Sequence, residues 1–78
     1  MDAATLEALI RAGVPDATVE VQDLRGDGEH YSATVSSRAF VGKTRLEQHR
    51  MGFHALGPHL GDGMHALQLT TRTGTEAA

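Results

Sequence analysis

A chain of 78 residues, 40% apolar and 22% charged, holds enough material for one sheet layer and one helix layer around a single core, near the lower size limit for an unstapled soluble domain. With no cysteine it forms no disulfide and offers no thiolate, so metal chemistry falls to histidine, carboxylate or a partner. A formal charge of -3 works against a tight grip on a phosphate backbone. No apolar run approaches the roughly 20 residues that span a bilayer, and the N-terminus has no basic-then-apolar leader, so a cytoplasmic protein is the expectation.

Asp2 is placed to cap a first helix, with Leu6, Leu9 and Ile10 as its apolar stripe and Gly13 near its end. Val14-Pro15-Asp16 closes that helix. From Thr18 to Leu24, Val19 and Val21 alternate with Glu20 and Gln22, the pattern of a half-buried strand. Arg25-Gly26-Asp27-Gly28-Glu29 is a glycine-rich acidic turn, which returns the chain antiparallel as a second strand, His30 to Ser37. A link from Arg38 to Gly42 leads to an amphipathic helix from Lys43 to about Leu60. On a helical wheel its apolar arc is Leu46, His49, Phe53, Leu56 and Leu60, while Glu47, Gln48, Met51 and Ala55 lie elsewhere. Pro58 breaks or tightens the last turn, Gly61-Asp62-Gly63 ends the helix, and Met64 to Thr71 forms the third strand. The tail from about residue 73 to 78 is expected to fray, leaving one domain over 1–78.

A strand, a helix and a strand in succession favour a right-handed crossover, which makes strands two and three parallel. Both then open at the same end of the sheet, one with His30 and the other with His65, and two imidazoles meet there as half of a ligand site. Each has a plainer reading: His65 as a part-buried ring satisfied by a backbone carbonyl, His30 as a solvated turn residue. Asp27 and Glu29 are placed to orient the His30 imidazole, or serve the turn alone. His49, central in the apolar arc, reads as a structural core histidine with hydrogen-bonded ring nitrogens; His54 and His59 read as surface residues.

Two histidines do not close a structural zinc site, which takes four protein ligands, so an open site completed by another molecule fits better. The chain has no cysteine nucleophile, no defensible Ser-His-Asp order and no phosphate-cradling glycine loop, and it is not expected to be an enzyme. Lys43, Arg45 and Arg50 give the long helix a basic flank, either simply solvated or in contact with an acidic partner or DNA.

Four motifs in order, V-x-V-x-D with its glycine-rich loop, F-x-G-K at Phe40 to Lys43, H-R at His49-Arg50 and H-A-L at His65 to Leu67, resemble the BolA family from about Val19 to Thr71. The resemblance implies an α+β fold of the class II KH-like kind, α-β-β-α-β, with a three-stranded mixed sheet covered by helices on one face. It implies a cytosolic partner of monothiol glutaredoxins, which shares a bridged 2Fe-2S cluster with the partner's cysteine and glutathione in iron-sulfur trafficking and iron homeostasis; separately, the free form is expected to be a monomer. Carried over, the family's C-terminal ligand falls on His65. Its loop ligand, cysteine or histidine among members, falls on His30, so GDGEHY looks like the histidine type. A second implication is transcriptional regulation through DNA, with Lys43, Arg45 and Arg50 as the contacts. The chain lacks the G-x-x-G clamp of RNA-binding KH domains, and it has no final helix after Thr71 of the kind some relatives carry.

Overall fold

A computed structural model describes residues 2–57 and 66–74. Among them the order is α1 (Ala3–Gly13), β1 (Thr18–Asp23), β2 (His30–Ser36), a 3-10 turn (Arg38–Phe40), α2 (Arg45–Leu56) and β3 (Ala66–Arg72). This is the expected α-β-β-α-β succession. Pro58, Leu60, the Gly61-Asp62-Gly63 stop and the expected strand opening at Met64 and His65 lie outside the described residues, as does His59.

Helix α1 starts where the Asp2 carboxylate accepts the Thr5 N–H at 2.8 Å, one of the helix N-terminal donors that lacks an internal partner. Leu6, Ile10 and the following Val14 form an i, i+4, i+8 row that is fully buried. Ser37, also buried, binds the turn after α1 to the sheet: its hydroxyl donates to the Pro15 carbonyl and its N–H to the Arg72 carbonyl at 3.0 Å.

The sheet has the order β1-β2-β3, with β1 antiparallel and β3 parallel to β2. Residues directly opposite one another share a face. Val19 and Val35, Val21 and Ala33, Tyr31 and Leu67, and Ala33 and Leu69 are such pairs, and they make the core face. That face joins Leu6, Ile10, Val14, Phe40 and Leu56 in one cluster, so both helices cover one side of the sheet. The opposite face, with Glu20, Gln68 and Thr70 exposed and Ser32, Thr34 and Ser36 half-buried, stays polar.

Helix α2 corrects the sequence reading in two ways. Its buried positions are Gly52 and Leu56, with Met51 and Ala55 packed partly against the core, whereas Leu46 is 60% exposed. The reason is close approach: a Cβ built on Gly52 would lie 2.8 Å from Leu69 Cδ2, and one on Gly13 would lie 2.3 Å from Ala55 Cβ. Small residues bring the backbones together, and a wheel that weighs only apolar side chains assigns them to the wrong face. The helix also stops early, at Leu56, with Gly57 at φ +48°. A residue before proline is disfavoured in the helical region, and Gly57 precedes Pro58.

At its start α2 carries a capping box. The Glu47 N–H donates to Thr44 Oγ1 at 3.1 Å, and the Thr44 N–H donates to Glu47 Oε1 at 2.9 Å. These bonds to the Thr44 backbone, and next its side chain, hold the Glu47 carboxyl below its ordinary range. Thr44→Ala is expected to cost about 1 kcal/mol, read as a lower thermal midpoint, and to return the Glu47 carboxyl toward its ordinary value in a carbon-detected NMR titration.

Candidate metal centre

The turn between β1 and β2 is organised by two carboxylates. Asp23 accepts the backbone N–H groups of Gly28 at 2.8 Å and of Arg25 and Asp27 at 3.3 Å each. Asp27 accepts those of Glu29 at 2.9 Å and His30 at 3.2 Å through one oxygen, and its other oxygen meets His30 Nδ1 at 2.9 Å. Gly26 and Gly28, at φ +69° and +72°, supply the left-handed backbone that aims these amides inward. The Leu24 N–H reaches the His30 carbonyl at 2.7 Å and closes the turn.

His30 is therefore braced where β2 begins, with its side chain 24% exposed. A carboxylate on Nδ1 fixes the tautomer with the proton there and makes Nε2 the nitrogen suited to a metal, the usual outer-shell arrangement of a ligating histidine. One ligand atom from each of Asp27, Glu29 and His30 lies within 4.8 Å of the others. In the register, His30 pairs with Ala66, and Ala66 follows His65 in the chain. His65 itself lies outside the described residues.

The hydrogen bond from the Glu29 amide, opposed in part by desolvation and followed by the contacts with His30, holds the Asp27 carboxyl below its ordinary range. A carboxyl depressed on folding stabilises the fold above its unfolded pKa, and that contribution disappears as pH falls through the folded value. In Asp27→Asn the thermal midpoint is thus expected to depend less on pH below about 4 than in the parent chain. Equal slopes on the acid side would show that the turn gains nothing from the ionised form.

The other sequence candidates sit apart from this turn. Lys43, Arg45 and Arg50 are all exposed. Arg45 and Arg50, five residues apart, point about 140° apart around the helix, and Lys43 precedes it, so the three do not form one stripe. His49, expected in the core, is half-buried: it lines a surface groove with Leu46 and Phe53 and also borders Leu69, Thr70 and Thr71 of β3, while Leu56 of the same arc is buried. The structure adds two residues that the sequence reading did not single out: Asp23, which anchors the β1–β2 turn, and Gln48, which links three segments. Its amide donates to the carbonyls of Phe40 at 3.2 Å and Lys43 at 3.0 Å, and its oxygen accepts from Thr71 Oγ1 at 2.7 Å. A polar residue followed by Gly52 and Leu56 at helical spacing was the available signal.

A three-stranded mixed sheet under two helices, with a carboxylate-braced imidazole where the central strand opens, defines a small α+β domain. The sequence model described as BolA-like protein matches residues 12–76, and the chain belongs to the BolA-like family. Among solved structures it is similar to the XC975 protein, with 51% identity, 99% of this chain and 94% of that one covered, and a TM-score of 0.65. It is also similar to a BolA homologue from Coxiella burnetii, at 34% identity, 94% and 91% coverage and a TM-score of 0.79. The BolA domain of SufE1 from Arabidopsis thaliana matches at 26% identity, 99% coverage of both chains and a TM-score of 0.80. Among the described residues no helix is long and apolar enough to cross a membrane.

Proposed function

We propose that this chain acts as a non-enzymatic partner of a monothiol glutaredoxin in the cytoplasm, sharing a bridged 2Fe-2S cluster in iron-sulfur trafficking and iron homeostasis. His30 and His65 are the ligands from this side, and the partner's cysteine and glutathione complete the set. The observation that carries the reading is the His30 imidazole held by Asp27 at the opening of β2, in parallel register with the residue after His65. The donor chemistry fits: imidazole is a competent iron ligand in two-iron centres, where it raises the potential relative to thiolate, and the chain has no thiolate of its own. The cluster supplies the electron-carrying and transferable inorganic core. The residues of this chain contribute orientation and a proton held on Nδ1 by the Asp27 carboxylate.

The test is co-expression with a monothiol glutaredoxin, followed by visible circular dichroism and electron paramagnetic resonance of the purified complex. A coloured heterocomplex is expected, with altered spectra in His30→Ala and in His65→Ala. Spectra unchanged in both would remove the ligand assignment. Asp27→Ala, which leaves both imidazoles in place, is expected to weaken cluster retention about 10–100-fold in a chelator competition. Regulation of transcription through Lys43, Arg45 and Arg50 predicts instead a DNA mobility shift whose salt slope falls by about one unit for each contact removed. No specific observation favours it, because the three cations diverge and the chain is acidic overall.

A further inference from the structure

Helix α2 presents to solvent an apolar groove of ≈ 820 Å³, lined by Leu46, His49, Arg50, Met51, Phe53 and His54. None of these residues belongs to the proposed cluster site. We propose that this groove docks an acidic amphipathic segment of a protein partner, its apolar side chains seated against Leu46, Met51 and Phe53 and its carboxylates meeting Arg50 and the two imidazoles.

Charge selects that occupant. The chain as a whole is acidic, at -3, yet among the described residues no carboxylate lines the groove. Glu47 is the sole acidic residue of α2; its carboxylate is bonded to the Thr44 N–H at 2.9 Å at the helix N-terminus, and Lys43 and Arg50 both lie close enough to favour its ionised form, so Arg50 is offset only in part. The lining is thus a local reversal of the molecule's overall sign, with one permanent cation and two imidazole donors around an apolar floor. Such a rim attracts carboxylates and repels a basic segment. The floor decides against nucleic acid: a thioether, a leucine 60% exposed and a phenylalanine ring give apolar anchor surface of the helix-in-groove type, and a phosphate backbone would leave it unused. An amphipathic helix with leucines at i, i+3 and i+7 matches a groove that runs along one helix face over two turns.

The probe is a fluorescently labelled synthetic peptide with leucines at those spacings and glutamates between them, compared with a counterpart in which lysine replaces each glutamate. Anisotropy titrations and backbone amide shift mapping use the whole isolated chain, without glutaredoxin or cluster. Failure here is therefore independent of the cluster reading. The acidic peptide is expected to bind with shifts confined to residues 46–54, and the lysine counterpart about tenfold more weakly. Arg50→Glu should reverse that order, and Leu46→Ser, at an exposed position, should weaken the acidic peptide at an unchanged thermal midpoint. Equal binding of the two peptides overturns the proposal. So do shifts outside α2, concentration-dependent shifts of α2 without peptide, which would mark a second copy as occupant, or preferential binding of a DNA duplex to this face.

Discussion

Phe40→Ala is expected to leave the chain largely unfolded at room temperature. The ring is fully buried beside Leu56 and the α1 row, and it sits in the 3-10 turn that joins β2 to α2. Removing a buried phenylalanine costs about 3–5 kcal/mol through lost transfer energy and the cavity left behind. A domain of this size has a stability at the low end of the roughly 5–15 kcal/mol range, so the loss takes most of it. The Phe40 carbonyl accepts the Gln48 amide, and collapse of this turn would also free the N-terminal end of α2. Urea unfolding followed by far-ultraviolet circular dichroism measures the effect. Phe40→Leu, which keeps most of the volume, should retain a cooperative transition at a lower midpoint. A Phe40→Ala unfolding free energy within about 1 kcal/mol of the parent would mean that this ring does not anchor the core.

Gly13→Ala is expected to destabilise strongly, against the usual sign. In a helix the change from glycine to alanine ordinarily gains about 0.5–1 kcal/mol. Here the new methyl would meet Ala55 Cβ at 2.3 Å and Ala55 Cα at 2.7 Å, and backbone atoms do not yield as a side-chain tip does. The helices must separate, at about 1–3 kcal/mol or more. Gly52→Ala is the informative companion, since its Cβ meets the far end of Leu69 at 2.8 Å, a flexible tip that can turn away. It should be much milder. In a double-mutant cycle, Ala55→Gly should recover part of the Gly13→Ala loss, because it removes the colliding group. Additive effects would place the cost elsewhere than in the α1–α2 crossing.

These two positions also show where the sequence was readable. Val19 and Val21 alternate with polar neighbours, and their strand lies where that alternation placed it; Tyr31, Ala33 and Val35 likewise kept their phase and are buried. The parallel pairing followed from the handedness of a strand-helix-strand crossover, which needs no knowledge of side chains. The face of α2 was misread because Gly52 and Ala55 act by lacking bulk. Their contribution is the distance of another backbone, which no single segment records. The Thr44-Glu47 capping box, by contrast, was present at the standard spacing and gives the helix start more sharply than the apolar pattern did.

The site divides in the same way. Asp27 stands beside His30 in sequence, and its role as a brace for the imidazole was one of two readings open there; the hydrogen bond on Nδ1 favours it. Asp23 was invisible as an anchor, because its acceptors come into use only once two glycines have adopted left-handed conformations. His30 and His65 as a pair came from strand phase plus the family resemblance. His49 was placed by the same wheel that misplaced Leu46, and the error passed to it directly.

The parallel register of β2 with β3 has a kinetic consequence for a protein made from one end to the other. The β1–β2 turn closes among neighbours and can form while the remainder is still being synthesised, but the partner of His30 is supplied by β3, the last strand among the described residues. Until that strand leaves the ribosome, a nascent molecule carries a finished loop histidine beside an open sheet edge. The surroundings of His30 are therefore completed only when β3 pairs with β2, and a product truncated ahead of residue 66 would keep the β1–β2 turn beside an unpaired β2 edge.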